Sequence, residues 1–320
     1  MNNENENENE NEIAKNYPDD LIDIKEIINT VWHDKWIVIF STIIFLIIAT
    51  VYSYSLQNIY QSKALLSPVG EQNAMNEAVR GYSGLASLAG INIPSSSNSA
   101  NSTKALKKIN SLSFFKNNIF PNIFLPDLMA IKSWDKRTNS NVYDNNIFDI
   151  SSGNWVRDFK YPQTQIPSVQ EAYKIFLKDH IKIIESNDTG FVTISIAHKS
   201  PFIAKAWTDL VVNEINNFYR VKDKSEAIAA TEYLNKQISQ TSLTEVTQVI
   251  ASLLQQKTQQ LTLIEVSDSY VFEYIDSPVV MEEKHEPNRI ILILLISIAG
   301  SFLGIVIIFI RRYQLVSSNI

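Results

Sequence analysis

Trp36 to Leu56 reads WIVIFSTIIFLIIATVYSYSL, and Ile290 to Ile310 reads IILILLISIAGSFLGIVIIFI. Neither stretch carries a charge, and as helices of about 21 residues rising about 1.5 Å each they match a hydrocarbon core of about 30 Å. Both are therefore expected to be transmembrane helices, over 36–56 and 290–310. Two spans put both termini on one side of the membrane and residues 57–289 on the other as one large domain. The short stretch 311–320 after the second span has no room for a kinase or relay module, which argues against a signalling receptor.

The first span does not read as a cleavable signal peptide. Its apolar core is too long and starts too late, and Ala49 to Leu56 offers no A-x-A-like site. Positive charges barely decide the orientation: Lys35 precedes the first span and Arg311 and Arg312 follow the second, against Lys63, Lys284 and Arg289 on the domain side. Long loops translocate largely regardless of charge, so both termini are expected in the cytosol.

The net charge of -6 is unevenly placed. Residues 1–35 carry 3 Lys+Arg against 10 Asp+Glu, whereas residues 57–288 carry 22 against 24 and are nearly neutral. No basic patch of the kind that neutralises phosphates is visible, which argues against nucleic acid as a partner. The absence of cysteine excludes disulfides, thiolate metal sites and cysteine nucleophiles. A domain of roughly 230 residues buries enough surface to hold together without covalent staples.

Residues 1–18 open with alternating Asn and Glu and contain too few apolar side chains to offset ordering, so they read as a disordered acidic tail. Leu21, Ile24, Ile27, Ile28, Val31 and Trp32 recur at helical spacing, giving an amphipathic interfacial helix over 19–35. Tyr60 to Pro68 alternates like a strand. Glu71 to Gly90 begins as a helix and becomes small-residue rich, and a Ser/Asn loop follows. Ser102 can cap a helix whose apolar face is Leu106, Ile109, Leu112 and Phe115. Between Pro121 and Pro167 no period persists, and loops and short turns are expected.

Ser168-Val169-Gln170-Glu171 is a capping box and opens a helix to about Asp179. Strands over 181–186 and 191–197, joined by Asn187-Asp188-Thr189-Gly190, read as a hairpin. Ser200-Pro201 then places an N-cap and a first-turn proline. Apolar positions from Ile203 and Trp207 to Leu253 and Leu261 continue at helical steps, giving a long helix over about 201–260. Unbroken, it would measure about 90 Å. Its weak part is Ser239 to Thr247, where Ser and Thr lower helix propensity. Ser267 to Val280 reads as a strand returning to the second span. The expected fold class is an α+β membrane protein: two transmembrane helices flanking an exported α/β base with a long helical projection.

Enzymatic readings find little support. The chain has no G-x-x-x-x-G-K-[ST] phosphate loop, no H-E-x-x-H and no G-x-S-x-G elbow. His33, His180, His198 and His285 are isolated in the sequence, and Asp127 and Asp135 read as solvated loop residues rather than a glycosidase pair. No catalytic residue, cofactor or metal ligand is assigned.

In sequence order, four stretches resemble the Wzz-type polysaccharide co-polymerases, chain-length determinants of bacterial O-antigen and related glycans. They are Asp20-Leu21-Ile22-Asp23-Ile24 with Trp32 and Lys35-Trp36, and the small-residue run Gly84 to Gly90. Next come Thr189-Gly190 to Ser200-Pro201 with Glu226 to Leu234, and Leu263-Ile264-Glu265-Val266 through Tyr270, Phe272 and Ile275-Asp276 to Pro287-Asn288-Arg289. Ser277 and Met281 depart from the more proline-rich connector of that family.

The resemblance implies a non-enzymatic inner-membrane regulator, two-pass with a periplasmic central domain, that sets glycan length. It also implies a ring-like homo-oligomer as scaffold for a separate membrane glycan polymerase or its lipid-linked polysaccharide. The alternatives are an exported-domain sensor or adaptor, and an export component working with a separate tyrosine kinase. Gly300-x-x-x-Gly304 removes side chains from one face of the second span and invites close packing, whether by the first span, a neighbouring protomer or another membrane protein. Trp207, Leu210, Phe218, Leu234 and Ile238 form the long-helix face expected to support self-association, and Pro278, Pro287 and Arg289 mark the juxtamembrane connector. Trp134, Tyr143, Trp155 and Tyr161 have faces suited to sugar rings but read first as core or loop anchors.

Overall fold

The computed structural model describes residues 24–69, 98–240, 243–267 and 269–317. The tail over 1–18, the Asp20 to Asp23 part of the first motif and the small-residue run Gly84 to Gly90 lie outside the described residues. In chain order the first elements are α1 (Ile24–His33), α2 (Lys35–Ser55), β1 (Tyr60–Pro68), α3 (Asn98–Ile109) and α4 (Leu125–Met129). Four short strands follow, β2 (Ile131–Asp135), β3 (Ser140–Tyr143), β4 (Phe148–Asp149) and β5 (Asn154–Trp155), then α5 (Val169–Ile175), β6 (Ile181–Glu185) and β7 (Val192–His198). The chain closes with α6 (Pro201–Gln240), α7 (Thr244–Val266), β8 (Phe272–Asp276) and α8 (Arg289–Ser317). Two compact units result, residues 1–56 with 287–320, and residues 57–286.

In the first unit α2 and α8 pack along one another. Both are long and apolar enough to cross a membrane, with mean hydropathy 2.3 and 3.0. Their outward side chains, among them Phe40, Ile47, Ile291 and Phe302, are exposed, as suits helices whose solvent is lipid.

The second unit is built on a four-stranded sheet of order β6-β7-β1-β8, antiparallel throughout. Alternation in β1 sends Tyr60, Ser62, Ala64 and Leu66 inward, and β7 answers with Val192, Ile194, Ile196 and His198. The β6–β7 turn closes at Gly190, whose φ of 70° is a conformation open to glycine at little cost. Trp207, Val211, Val212 and Ile215 of α6 cover the sheet, and Phe114, Phe115, Ile119 and Phe176 complete the core. The capping box forms as the sequence indicates: Glu171 N donates to Ser168 Oγ and Ser168 N donates to Glu171 Oε1.

Asn216 ties β8 to α6. Its Oδ1 accepts from the amides of Val271 and Phe272, both at 2.8 Å, and its Nδ2 donates to the Phe272 carbonyl at 2.9 Å. The sheet is also closed at its start. The Ile59 amide donates to Glu286 O at 2.9 Å, and the amides of His285 and Glu286 donate back to Ile59 O at 2.7 and 3.1 Å.

Three expectations require correction. The helix does not run unbroken from 201 to about 260: α6 ends at Gln240 and α7 begins at Thr244, inside the weak Ser/Thr stretch. The second arm returns antiparallel beside the first, joined by a Lys224–Glu265 ion pair and by Arg220 Nη2 donating to Ser267 O at 2.7 Å. Packing Ile250 and Ile264 against the first arm buries both side chains, an outcome a single projecting helix could not provide.

Ser102 lies inside α3, which starts at Asn98, so it does not cap that helix. The stretch read as loops holds two antiparallel pairs, β2–β3 and β4–β5.

Candidate functional site

Within the first unit, the Gly300/Gly304 face is occupied by α2 of the same chain. A Cβ at Gly300 would collide with Phe45, and one at Gly304 would lie 2.8 Å from Val38 Cα. Ser41 Oγ donates to the Gly300 carbonyl at 2.7 Å, a bond that the missing side chain makes reachable. Arg312 donates to Thr30 Oγ1 at one end of the unit. At the other the Arg289 guanidinium sits 4.9 Å over the Tyr54 ring. Of the other connector residues, Pro278 is buried and Pro287 half-buried.

In the second unit the foot of α6 encloses two histidines that the sequence separates. The His180 and His198 rings are 5.5 Å apart, and Trp207 stands edge-on to both at 5.4 and 5.0 Å. His198 Nδ1 accepts from the Ser200 amide at 3.0 Å, which assigns the proton to Nε2, 3.1 Å from the Asp127 carbonyl. Burial drives the His198 imidazole down to about 3, with the neighbouring His180 pushing the same way. Burial also lowers His180 and Lys199, whose Nζ donates to Ile131 O at 2.6 Å. The alternation Val192, Ile194, Ile196, His198 signalled that His198 lies on the buried face, though not that His180 would join it.

Asp127 is a brace rather than a solvated loop residue. Its Oδ1 accepts from Tyr143 at 2.7 Å and Asn141 at 3.1 Å. Burial raises its carboxyl against the opposing pull of these bonds, and burial with the adjacent carboxylate pushes Tyr143 up to about 12. Asp135 is a turn residue that accepts from the Arg137 amide at 2.8 Å. Trp134 packs on Tyr60 and Phe202, and Trp155 on Phe148, while Tyr161 is 96% exposed.

The expected long-helix face divides in two. Trp207 is 5% exposed and belongs to the core, and Leu210 and Phe218 pack against that core. Leu234 and Ile238 are half-buried on the outer part of α6. The apolar side chains left exposed on the two arms include others, among them Val221, Ile228, Tyr233, Val246, Val249 and Leu263.

Residues 20–112 match the family model described as Wzz, chain length determinant protein. Over this segment the chain is similar to that family. The matched segment takes in α1, α2, β1 and α3, so it runs from the first unit into the sheet. Two solved structures resemble the chain at 14% identity. One, a full-length bacterial polysaccharide co-polymerase, covers 92% of this chain and 98% of its own, with a TM-score of 0.38. The other, a fragment of WzzB, a polysaccharide co-polymerase from Salmonella Typhimurium, covers 72% and 100%, with a TM-score of 0.29. No curated protein matches the chain.

Proposed function

We propose that this chain is a non-enzymatic regulator of the length of an O-antigen-like polysaccharide. In this reading it is a two-pass protein of the bacterial inner membrane, with cytosolic termini and residues 57–289 in the periplasm. It assembles with copies of itself into a scaffold for a separate glycan polymerase acting on lipid-linked polysaccharide. The match of residues 20–112 to a chain-length-determinant family carries the reading. Two features support it. The helices able to cross a membrane bracket a sheet domain that bears a helical hairpin. The exposed apolar side chains of that hairpin, such as Val221, Tyr233 and Val249, suit lateral contact between copies.

The test is the size ladder of surface and lipid-linked glycan from the host, a deletion strain and a complemented strain. Deletion is expected to replace a preferred length with a broad, mostly short distribution, and complementation to restore it. An unchanged ladder, with the protein shown to be expressed and no second homologue present, overturns the assignment.

A further inference from the structure

A groove runs along α2 where it meets α8 in the first unit. Trp36, Phe40 and Ile44, and beside them Ser41 and Phe45, repeat at steps of four and form two rows on one face of α2, with Ile307 of α8 as the opposite wall. The groove measures about 590 Å³, within the range of about 300–1,000 Å³ for sites that hold a small ligand. Its polar member, Ser41, already donates to the Gly300 carbonyl at 2.7 Å, which leaves an apolar trough. From Trp36 to Phe45 the helix rises about 13 Å, close to the depth of one leaflet, half of a hydrocarbon core of about 30 Å.

One end of the trough is basic. A Cβ on Gly304 would meet Val38 and one on Gly300 would meet Phe45, and this antiparallel register carries Arg311, one turn beyond Ile307, level with the start of α2 at Lys35. Arg312 donates to Thr30 of α1 at the same level, and the Lys35 ammonium lies 5.1 Å over the Trp32 ring. Lys35 and Arg311 are exposed, as are Trp32 and Trp36, and half-buried Asp34 is the one acid within residues 33–36 and 307–312. At the opposite end of the pair Arg289 is engaged by the Tyr54 ring, and the trough does not reach it. Along one face the chain therefore sets cations, then tryptophan rings, then phenyl and aliphatic side chains. A phospholipid sets phosphate, glycerol ester and acyl chain in that order.

We propose that this trough is a site for one acidic phospholipid, such as phosphatidylglycerol, with an acyl chain lying along Phe40 and Ile44 and the phosphate held by Lys35 and Arg311. Basic side chains beside a cleft between spans attract such headgroups, and tryptophan favours the same interfacial level. The charge at the mouth selects the acidic lipid, and the apolar length of the trough selects a lipid over a soluble phosphate. The site rests on α2 and α8 being membrane spans, draws on residues of the first unit alone, and is independent of the glycan role.

Full-length protein is reconstituted in phosphatidylcholine vesicles with a trace of phosphatidylglycerol or phosphatidylcholine spin-labelled on the acyl chain, and electron spin resonance reads the motionally restricted fraction. Labelled phosphatidylglycerol is expected to associate about threefold or more better than labelled phosphatidylcholine, and the ratio to fall in about 0.5 M salt. Lys35→Gln combined with Arg311→Gln should bring the ratio close to unity. Ile307→Trp fills the trough from an exposed position and keeps both cations. It should also lose most of the preference, because a chain excluded from the trough cannot seat its phosphate.

Equal association of the two lipids with the unaltered protein overturns the proposal. A preference that Ile307→Trp leaves intact also overturns it, since that result marks surface charge without a chain site. Stronger displacement of the labelled phosphatidylglycerol by a long isoprenoid phosphate than by unlabelled phosphatidylglycerol assigns the trough to another lipid and overturns it too. The chain has no cysteine, so Phe40→Cys reports on a second copy: a disulfide between copies in the membrane, with no lipid preference, places that copy in the trough and sinks the lipid site. Failure of the protein to float with the vesicles after alkaline extraction overturns the spans and this site with them, whereas the other negative results leave the spans standing.

Discussion

His198 makes folding of the sheet domain sensitive to mild acid. Its Nδ1 already accepts the Ser200 amide, so a second proton would face an N–H, with His180 5.5 Å away and, among the described residues, no carboxylate hydrogen-bonded to either ring. The folded value of about 3 lies below the unfolded value of 6.5, so the unfolded chain binds more protons between them. Stability is therefore complete above the unfolded value and is lost as pH falls below it. Between pH 8 and pH 5 the unfolded state gains about 1.5 pK units of protonation, or about 2 kcal/mol, and the folded state almost none. The figure depends only on the folded value staying well below 5.

The assay is urea unfolding of the full chain in detergent, followed by tryptophan fluorescence at both pH values. His198→Gln can still accept at one atom and donate at the other, and it does not titrate. The wild type should lose about 2 kcal/mol more than this variant on moving from pH 8 to 5. Part of the pH dependence should remain in the variant, because burial depresses His180 as well. Equal losses in the two proteins would refute the assignment of a buried neutral imidazole.

Gly304→Leu places a side chain where Val38 Cα approaches within 2.8 Å of the Cβ position. Overpacking of this kind costs about 1–3 kcal/mol, and the thermal midpoint in detergent should fall by several degrees, whereas Leu303→Ala on the exposed face should leave it nearly unchanged. Asn216→Ala leaves two amides and a carbonyl at the α6–β8 junction without their partner and should cost about 2–4 kcal/mol in the same urea titration. Asn216→Asp should recover part of that loss, since a carboxylate still accepts from Val271 and Phe272.

The elements legible in the sequence are those whose periodicity or end chemistry is local. Nine alternating residues specify β1, Ser168 and Glu171 cap α5, and Gly190 closes the β6–β7 turn where only a short glycine-containing link separates two apolar runs. The pairs β2–β3 and β4–β5 were not legible because strands of two to five residues are too short to display a period. Their pairing depends on Tyr143, Phe148 and Trp155 finding one another.

The turn from α6 into α7 lay in a stretch of weak propensity, but weakness alone does not distinguish a straight helix from a folded one. Burial of Ile250 and Ile264 and the Lys224–Glu265 pair decide it, and these are tertiary facts. The histidine pair was hidden for the same reason: the rings come from residues 18 apart and meet only when β6 and β7 are paired through Ile181 and Ile196.

Because α7 comes back to Arg220 and Ser267, the chain leaves and re-enters the sheet domain at neighbouring points. Residues added to both arms in equal number would lengthen the shaft by about 1.5 Å apiece and leave every contact below Arg220 undisturbed. Height and foundation are thus separate variables in this architecture. Lineages sharing the base are free to differ in stature by paired insertions or deletions near Gln240 and Thr244, with no need to redesign the core.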